Sequence, residues 1–363
     1  MVPFCTTPGR QKSMRMHLYR WFALLVMAVG MPSIALSESL NCQAVTAETC
    51  DIAGKLGRGI NLGNMLDPPR EGDWGYWLLP EYLDKVAPLF QTVRIPVRWS
   101  NHAAATEDAT LDERFAGRVD KVIDSYLAKG MYVILDLHHY NQLFGDALMP
   151  NEYPVAPEVL ETRLVNMWQQ LAERYKDRSD KLIFELLNEP HGKLNGEPWN
   201  ALLARLIKTV RSSNPTRTIL LGPTEWNAAK DLEKLRLPED RYLLIAIHNY
   251  EPFNFTHQGI KYLPKPFPTG TTCCNKQQQL MITDALDLAQ AWSKKHGYPL
   301  HVGEFGAYKA ADMDSRASYI RFIRDEMEQR GMGWTYWDFA SSFGIYDPKA
   351  RVWIEPLRRA LLD

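Results

Sequence analysis

The amino-acid sequence predicts an α/β fold, a single (β/α)8 barrel with extended loops on its C-terminal face. From about Gly57 onward, apolar strand-like runs alternate with helical patterns. Several runs, such as Tyr-Val-Ile-Leu-Asp-Leu at 132–137, are continuously apolar, as strands buried on both faces are. Long segments without helical periodicity follow two of the strands, at 64–79 and 251–276.

Eight segments have the length and composition of buried strands, and six others carry helical spacing. The predicted strands are 58–65, 92–99, 132–138, 182–188, 218–222, 243–248, 300–304 and 333–338. The predicted helices are 111–129, 158–176, 199–211, 277–295, 315–329 and 355–362. An open doubly wound sheet is the structural alternative. It would need a glycine-rich phosphate loop after its first strand, whereas Gly57-Arg58-Gly59 precedes that strand.

The N-terminal segment has the pattern of a secretory signal peptide. Four Lys or Arg residues flank the start of an apolar run at 21–35, and no acidic residue precedes Glu38. Cleavage after Ser37 would leave residues 38–363 as one domain of a secreted or periplasmic protein. The alternative is an uncleaved anchor helix, but the run is shorter than the ~20 residues that span a bilayer.

Charge argues against two classes of partner. Removal of 1–37 takes four basic residues from totals of 42 basic and 43 acidic, which leaves a net charge of −5. A mildly acidic chain without a basic run is poorly suited to bind nucleic acid or an anionic membrane. We therefore expect neither partner, and we expect a monomer.

Four cysteines remain after signal cleavage, which allows two disulfides in an exported protein. Cys42–Cys50 would close a short loop and Cys273–Cys274 would be vicinal, but all three pairings of the four cysteines stay open. The sequence does not indicate a zinc site, because it has no repeated Cys-x-x-Cys and no close pair of His at ligand spacing. No Lys ends a strand, and no cluster of metal ligands is expected at the strand ends. We therefore predict no metal or cofactor and activity that survives EDTA.

Polar and aromatic residues end the predicted apolar strands, although packing of a core strand gives no reason for them. In a barrel these ends converge on one face, where active sites lie. The residues, from the first strand to the eighth, are Asn64, Arg94, His138, His139, Asn188, Glu189, Trp226, His248, Tyr250, Glu304 and Trp337.

Glu189 and Glu304 suit cleavage of a glycosidic bond. One carboxylic acid must protonate the leaving oxygen while one carboxylate attacks or directs water. Glu225 is a rival acid after the fifth strand. Glu185 lies deeper on the fourth strand and is interpreted as structural, as is Asp136 within the third strand.

The chain resembles glycoside hydrolase family 5, the cellulase family whose acid/base and nucleophile follow strands four and seven. The resemblance covers roughly residue 56 to the C-terminus, and all eight family positions hold the expected residue type. The departures lie in loops. The matching motifs are Val-Arg-Ile-Pro-Val at 93–97, Leu-Asp-Leu-His-His at 135–139, Asn-Glu-Pro at 188–190, His-Asn-Tyr at 248–250, Gly-Glu-Phe-Gly at 303–306 and Tyr-Trp-Asp-Phe at 336–339.

The resemblance implies a role for each matching residue. Glu189 would be the acid/base and Glu304 the nucleophile. Asn188 would bind the sugar 2-hydroxyl, Tyr250 would contact the nucleophile, and Arg94 would hold Glu304 ionised.

The remaining positions would bind the sugar. His138 and His248 would position it, and Trp337 would form the floor under the cleaved ring. Trp74 and Trp226, in loops after strands, are candidate stacking surfaces. His139 is either a ligand contact or a buried partner. By contrast, Trp168 and Trp292 lie in helical patterns and are predicted to be core.

The resemblance implies a retaining endo-β-1,4-glucanase that acts on β-glucan polysaccharide or oligosaccharide. Other possibilities would use the same mechanism and remain open. They are action on mannan, on mixed-linkage or β-1,3-glucan, and action as an exo-β-glucosidase. A non-catalytic sugar-binding barrel would be expected to lose a catalytic carboxylate. A metal or Schiff-base barrel enzyme is the third class, and the absence of strand-end Lys argues against it.

Overall fold

A computed structural model describes residues 40–363, in which eight parallel strands close into a barrel. The order of the strands around the barrel follows the chain, and the eighth pairs with the first. The predicted (β/α)8 barrel is therefore confirmed. The strands are β1 Arg58–Asn61, β2 Thr92–Val97, β3 Tyr132–Leu137, β4 Leu182–Glu185, β5 Ile219–Leu221, β6 Leu243–His248, β7 Leu300–Glu304 and β8 Gly333–Tyr336.

Helices follow the strands, and the six predicted ones are present with ends within a few residues of the prediction. The α-helices are α1 Ala47–Leu56, α2 Tyr82–Val86, α3 Glu113–Ala128, α4 Asn141–Phe144, α5 Leu160–Tyr175, α6 Glu197–Arg211, α7 Thr224–Asn227, α8 Phe253–Thr256, α9 Lys276–His296, α10 Met313–Gln329 and α11 Glu355–Leu362. Short 3-10 helices cover Trp99–Asn101, Pro157–Val159, Gly192–Leu194 and Ala229–Lys234. A small antiparallel pair, β9 Tyr346–Asp347 and β10 Val352–Trp353, lies outside the barrel.

Several strands end earlier than predicted. The paired part of β4 stops at Glu185, and the apolar residues Leu186 and Leu187 that follow are buried without joining a named strand. Apolar composition indicates which residues are buried, but not which of them pair with a neighbouring strand. The strand lengths predicted from the sequence were therefore too long. Helix α1 was not predicted; it begins at an N-cap, where the Thr46 side chain accepts a hydrogen bond from the Thr49 N–H at 3.2 Å.

The core surrounds the barrel between sheet and helices. Trp168 and Trp292 are 0% and 4% exposed, which confirms that these two tryptophans are core residues. The indole N–H of Trp168 donates to the Leu186 carbonyl at 2.7 Å, so its one polar atom is satisfied inside the core.

The cysteines pair as Cys42–Cys50 and as vicinal Cys273–Cys274. The second disulfide joins adjacent residues near the end of the long segment 251–276. Within that segment the buried Gln258 side chain accepts a hydrogen bond from the Gly270 N–H at 2.8 Å. The predicted signal peptide lies outside the described residues. Within 40–363 no helix has the length and apolarity needed to cross a membrane.

Candidate active site

The side chains predicted at the strand ends meet on the C-terminal face of the barrel. They form one hydrogen-bonded and stacked cluster, most of it buried. Its members are Arg94, His138, Asn188, Glu189, His248, Tyr250, Glu304 and Trp337.

Arg94, on β2 and fully buried, organises the floor of the cluster. Its Nε and Nη2 donate to both carboxylate oxygens of Glu185 at 2.6 and 2.9 Å. Nη1 donates to Glu304 Oε1 at 2.8 Å and to Asn61 Oδ1 at 2.9 Å, and Nη2 also reaches Asn188 Oδ1 at 2.8 Å. Glu185 is thus the anchor that fixes the guanidinium, which fits its structural interpretation.

Glu189 and Glu304 face each other across the cluster, with carboxylate oxygens within 4.8 Å of one another. Glu304 ends β7 and its side chain is 6% exposed, whereas that of Glu189 is 24% exposed. Glu189 has a left-handed backbone (φ 48°) just after β4. This conformation is costly for a residue with a Cβ and recurs where a catalytic side chain must be aimed.

Burial raises the pKa of both carboxyls to about 7. For Glu304, His248, Arg94 and the Tyr250 hydroxyl oppose the effect of burial. Desolvation outweighs these opposing contributions, and the role implied for Arg94, to hold Glu304 ionised, stays a prediction. Glu304 accepts hydrogen bonds from both Arg94 and Tyr250, at 2.8 and 2.9 Å, which favour its charged form.

His248, at the end of β6, links to Glu189 through Nδ1 at 2.7 Å. Burial lowers the pKa of His248 to about 4, so the ring is neutral near pH 7. Its Nε2 lies 3.3 Å from the Asn227 amide nitrogen. Gly303 gives the ring its space, because a Cβ at 303 would come within 2.8 Å of His248 Nε2.

Trp337 and His138 stack face to face, with ring centroids 5.2 Å apart and planes 4° apart. His138 is oriented by Asp136, whose Oδ2 lies 2.5 Å from His138 Nδ1. Asn64 lies nearby, but its amide donates to Asp338 at 3.1 Å and to Ser341 at 2.6 Å. The Asn64 amide therefore holds the segment after β8, and its predicted contact with the sugar stays a prediction.

The two predicted tryptophan platforms lie at the margins of the cluster. Trp226 is 51% exposed and stacks on His191 at 4.8 Å between ring centroids. Trp74 is half-buried and packs edge-on against His139 at 5.9 Å. His139 is also half-buried and borders the cleft beside His138.

Sequence reasoning missed four polar residues of this region. Asn61 and Asn227 bind Arg94 and His248, and the His191 ring hydrogen-bonds the Glu189 carbonyl at 2.6 Å. Asp67 is completely buried next to His139. For Asn61 the available signal was its place in Asn-Leu-Gly-Asn at 61–64, at the end of the first predicted strand.

Two groups of possible metal ligands occur at the strand ends, so the expectation of none was wrong. Their ligand atoms lie within 4.8 Å of one another, although the residues are far apart in sequence, and spacing could not reveal them. The groups are Asp67, His138 and His139, and Glu189, His248 and Glu304.

Comparison with known proteins places the chain in a family. The sequence model described as Cellulase (glycosyl hydrolase family 5) matches residues 82–342. Endoglucanase H of Acetivibrio thermocellus is 32% identical over 320 residues, which cover 86% of this chain and 33% of that protein. The chain thus spans about a third of the length of this relative, and 37% of Cellulase/esterase CelE from the same organism.

Solved structures share the fold over nearly their whole length. Thermotoga maritima Cel5A, solved with mannotriose and with cellobiose, is 40% identical with a TM-score of 0.80, covering 86% of this chain and 99% of that one. Cellulose synthase subunit Z of Clostridioides difficile is 34% identical with a TM-score of 0.78, covering 85% and 100%. Sequence and structure agree, and the chain belongs to glycosyl hydrolase family 5, the cellulase family.

Proposed function

We propose that the protein is a retaining glycoside hydrolase that cleaves β-1,4-glucan within the chain. The observation that carries the proposal is the approach of the Glu189 and Glu304 carboxylates to within 4.8 Å. Retaining enzymes hold their two carboxyls about 5–5.5 Å apart, whereas inverting enzymes leave about 6.5–9.5 Å for a water molecule. The spacing therefore favours direct attack by a carboxylate.

In the first step Glu304 attacks the anomeric carbon while Glu189 gives its proton to the leaving oxygen. Arg94 and Tyr250 support the ionised Glu304 before attack, through hydrogen bonds of 2.8 and 2.9 Å. The C–O bond to the leaving sugar breaks as the ester to Glu304 forms. The buried setting that raises the pKa of Glu189 to about 7 keeps a proton available for this transfer.

In the second step water replaces the departed sugar and hydrolyses the ester. Glu189, now ionised, takes the proton of the attacking water, and Glu304 is released as a carboxylate. Two displacements at the same carbon restore the starting configuration. NMR of the first-formed sugar should show the β-anomer, and an α-anomer would refute the mechanism.

Substrate is proposed to lie along a cleft. Trp337 stacked on His138 forms a floor beside Glu304, and Asn188 faces the same space. Two further tryptophans extend this aromatic surface. Trp226 lies next to the proposed acid Glu189, through His191, and Trp74 lies against His139. Binding surface on both sides of the scissile bond supports endo action rather than removal of end units.

Glucan is the proposed polymer because the relatives are endoglucanases. The Cel5A structure with mannotriose keeps β-mannan as the alternative. Initial rates of the purified protein on carboxymethyl cellulose, barley β-glucan, laminarin and mannan distinguish these substrates. We expect the highest kcat/KM on a β-1,4-linked glucan, and turnover of mannan alone would overturn the assignment.

We also propose that the protein works as an exported monomer after removal of residues 1–37, and that it binds neither nucleic acid nor membrane. The signal-like N-terminal composition and the net charge of −5 that follows from the totals of 42 basic and 43 acidic residues support this. N-terminal sequencing of protein from the periplasm or medium should begin near Glu38. Recovery with residues 1–37 intact in the membrane fraction would contradict export.

A further inference from the structure

Asp67 has a buried carboxylate oxygen without a partner. The residue is 0% exposed, and its Oδ1 accepts from the Met65 N–H at 3.0 Å. Its Oδ2 has no hydrogen-bond partner among the described residues. An unsatisfied buried acceptor costs about 1–3 kcal/mol, so this atom calls for a ligand.

Two histidines at the end of β3 turn toward that oxygen. His139 Nε2 lies 3.9 Å from Asp67 Oδ2, and ligand atoms of Asp67, His138 and His139 all lie within 4.8 Å of one another. The Nδ1 of His138 is engaged by Asp136 at 2.5 Å, so Nε2 is the nitrogen left to bind a cation. A histidine ligand held from behind by a carboxylate is the usual arrangement at metal sites.

We propose that Asp67, His138 and His139 form a binding site for a divalent transition metal ion such as Zn²⁺. Two imidazole nitrogens and one carboxylate oxygen are a donor set that zinc accepts, with a fourth position open to water. Bonds of about 2.0–2.2 Å place tetrahedral ligands ~3.4 Å apart. The three donors therefore need to approach one another by up to about 1.4 Å, and the His139 side chain, 29% exposed, has the freedom to move.

The charges around the site permit a cation. Two arginines lie close to the site. Arg98 Nε donates to the Asp67 carbonyl at 2.6 Å. Arg94 Nη2 lies 3.0 Å from Oδ2 of Asp136, which neutralises Arg94 together with Glu185. The guanidinium of Arg98 is already paired with Glu152, at 2.5 Å between Nη1 and Oε1. The Asp67 carboxylate would thus provide the counter-charge for the ion, while the charge of Arg98 stays neutralised by Glu152.

Metal at this site would compete with glycan. The His138 ring stacks on Trp337, so an ion on His138 Nε2 stands beside the proposed floor for the sugar. The ion is then an inhibitor and not a cofactor. This consequence rests on the proposed function, whereas the binding of the metal does not.

Calorimetric titration of the chelator-treated protein with zinc chloride, in a buffer that does not bind zinc, tests the site. We expect one site in the wild type and a Kd at least about tenfold higher in Asp67→Asn and in His139→Gln. Glu304→Gln is the matched control for the other group of possible ligands and should keep the wild-type Kd. Equal Kd values in all four proteins, or a loss confined to Glu304→Gln, would overturn the proposal.

Thermal unfolding of the metal-free variants checks that they fold. His139→Gln is the second variant because the His139 side chain is half-buried, whereas that of Asp67 is completely buried. Kinetics then test the consequence: zinc should raise KM for a soluble β-glucan in the wild type and have a weaker effect in His139→Gln. A protein that binds zinc as expected but hydrolyses no glycan would refute the proposed function and leave the metal site standing.

Discussion

Arg94 donates a hydrogen bond of 2.8 Å from Nη1 to Glu304 Oε1. The opposite edge of the same guanidinium binds both oxygens of Glu185, at 2.6 and 2.9 Å. Because Arg94 and Glu185 are both completely buried, the cation can neither move nor be solvated. Glu304 therefore faces a fixed positive charge whose position is determined by a residue that does not face the substrate.

Glu185→Gln should destabilise the fold strongly. Glu185 is one of three carboxyl groups within 3.0 Å of the Arg94 guanidinium, and its removal leaves the buried cation with less counter-charge, at a cost of up to about 3–5 kcal/mol. The free energy of unfolding from denaturant titration measures it. Glu173→Gln, which breaks the exposed contact with Lys176, is the control and should change stability little. Equal stability of the two variants would contradict a structural role for Glu185.

Glu189→Ala should separate substrates by their leaving group. A cello-oligosaccharide needs protonation of its leaving oxygen, whereas a dinitrophenyl glycoside does not. We expect kcat to fall by about 10²–10⁴-fold on the oligosaccharide and far less on the aryl glycoside. Initial rates on the two substrates provide the measurement. Equal losses on both would remove Glu189 from the acid role.

Tyr250→Phe should shift one limb of the pH profile. The Tyr250 hydroxyl donates to Glu304 Oε2 at 2.9 Å and favours the ionised form, so its loss raises the pKa of Glu304. The nucleophile must be ionised, and the acidic limb of kcat/KM therefore moves to higher pH. The basic limb, where Glu189 loses its proton, should stay near pH 7.

Tyr76→Phe serves as the matched control, because its hydroxyl contacts Ser342 at 3.3 Å rather than a carboxylate. Its profile should match that of the wild type. An acidic limb that stays in place or moves to lower pH in Tyr250→Phe would show that the hydroxyl does not stabilise the charged nucleophile.

The barrel could be predicted from the sequence because its strands are continuously apolar and alternate with helical patterns. The positions of the proposed catalytic pair could be predicted because Glu189 and Glu304 come at the ends of such strands. The hydrogen-bonding network around Glu189 and Glu304 could not be predicted from the sequence. Asn61 and Asn227 become partners of Arg94 and His248 only through strand order and loop geometry. Likewise, the position of Asn64 after the first strand gives no sign that its amide will donate hydrogen bonds to Asp338 and Ser341.

Asp67 illustrates the same limit. A single Asp in a loop carries no sign that it will be buried next to His138 and His139, which lie some seventy positions away in the chain. Such contacts arise from closure of the barrel, which brings β1 beside β2 and β2 beside β3. Local periodicity does not encode them.

Trp226→Ala should weaken binding of long substrates. The ring is 51% exposed and supported by His191, which is the arrangement of a stacking platform. Loss of one aromatic contact worth ~0.5–1.5 kcal/mol predicts a two- to tenfold higher KM on cellohexaose. An aryl cellobioside is the control substrate, because its leaving group does not extend over a row of sugars. A KM unchanged on both would contradict a platform at Trp226.

Trapping of the covalent intermediate tests the central claim most directly. A 2-fluoro cellobioside with a good leaving group slows hydrolysis of the glycosyl-enzyme more than its formation, so the adduct accumulates. Mass spectrometry of the digested protein should find one cellobiosyl adduct, on the peptide that contains Glu304, and none in Glu304→Ala. An adduct on another carboxylate, or complete turnover with an α-anomer as first product, would contradict the account.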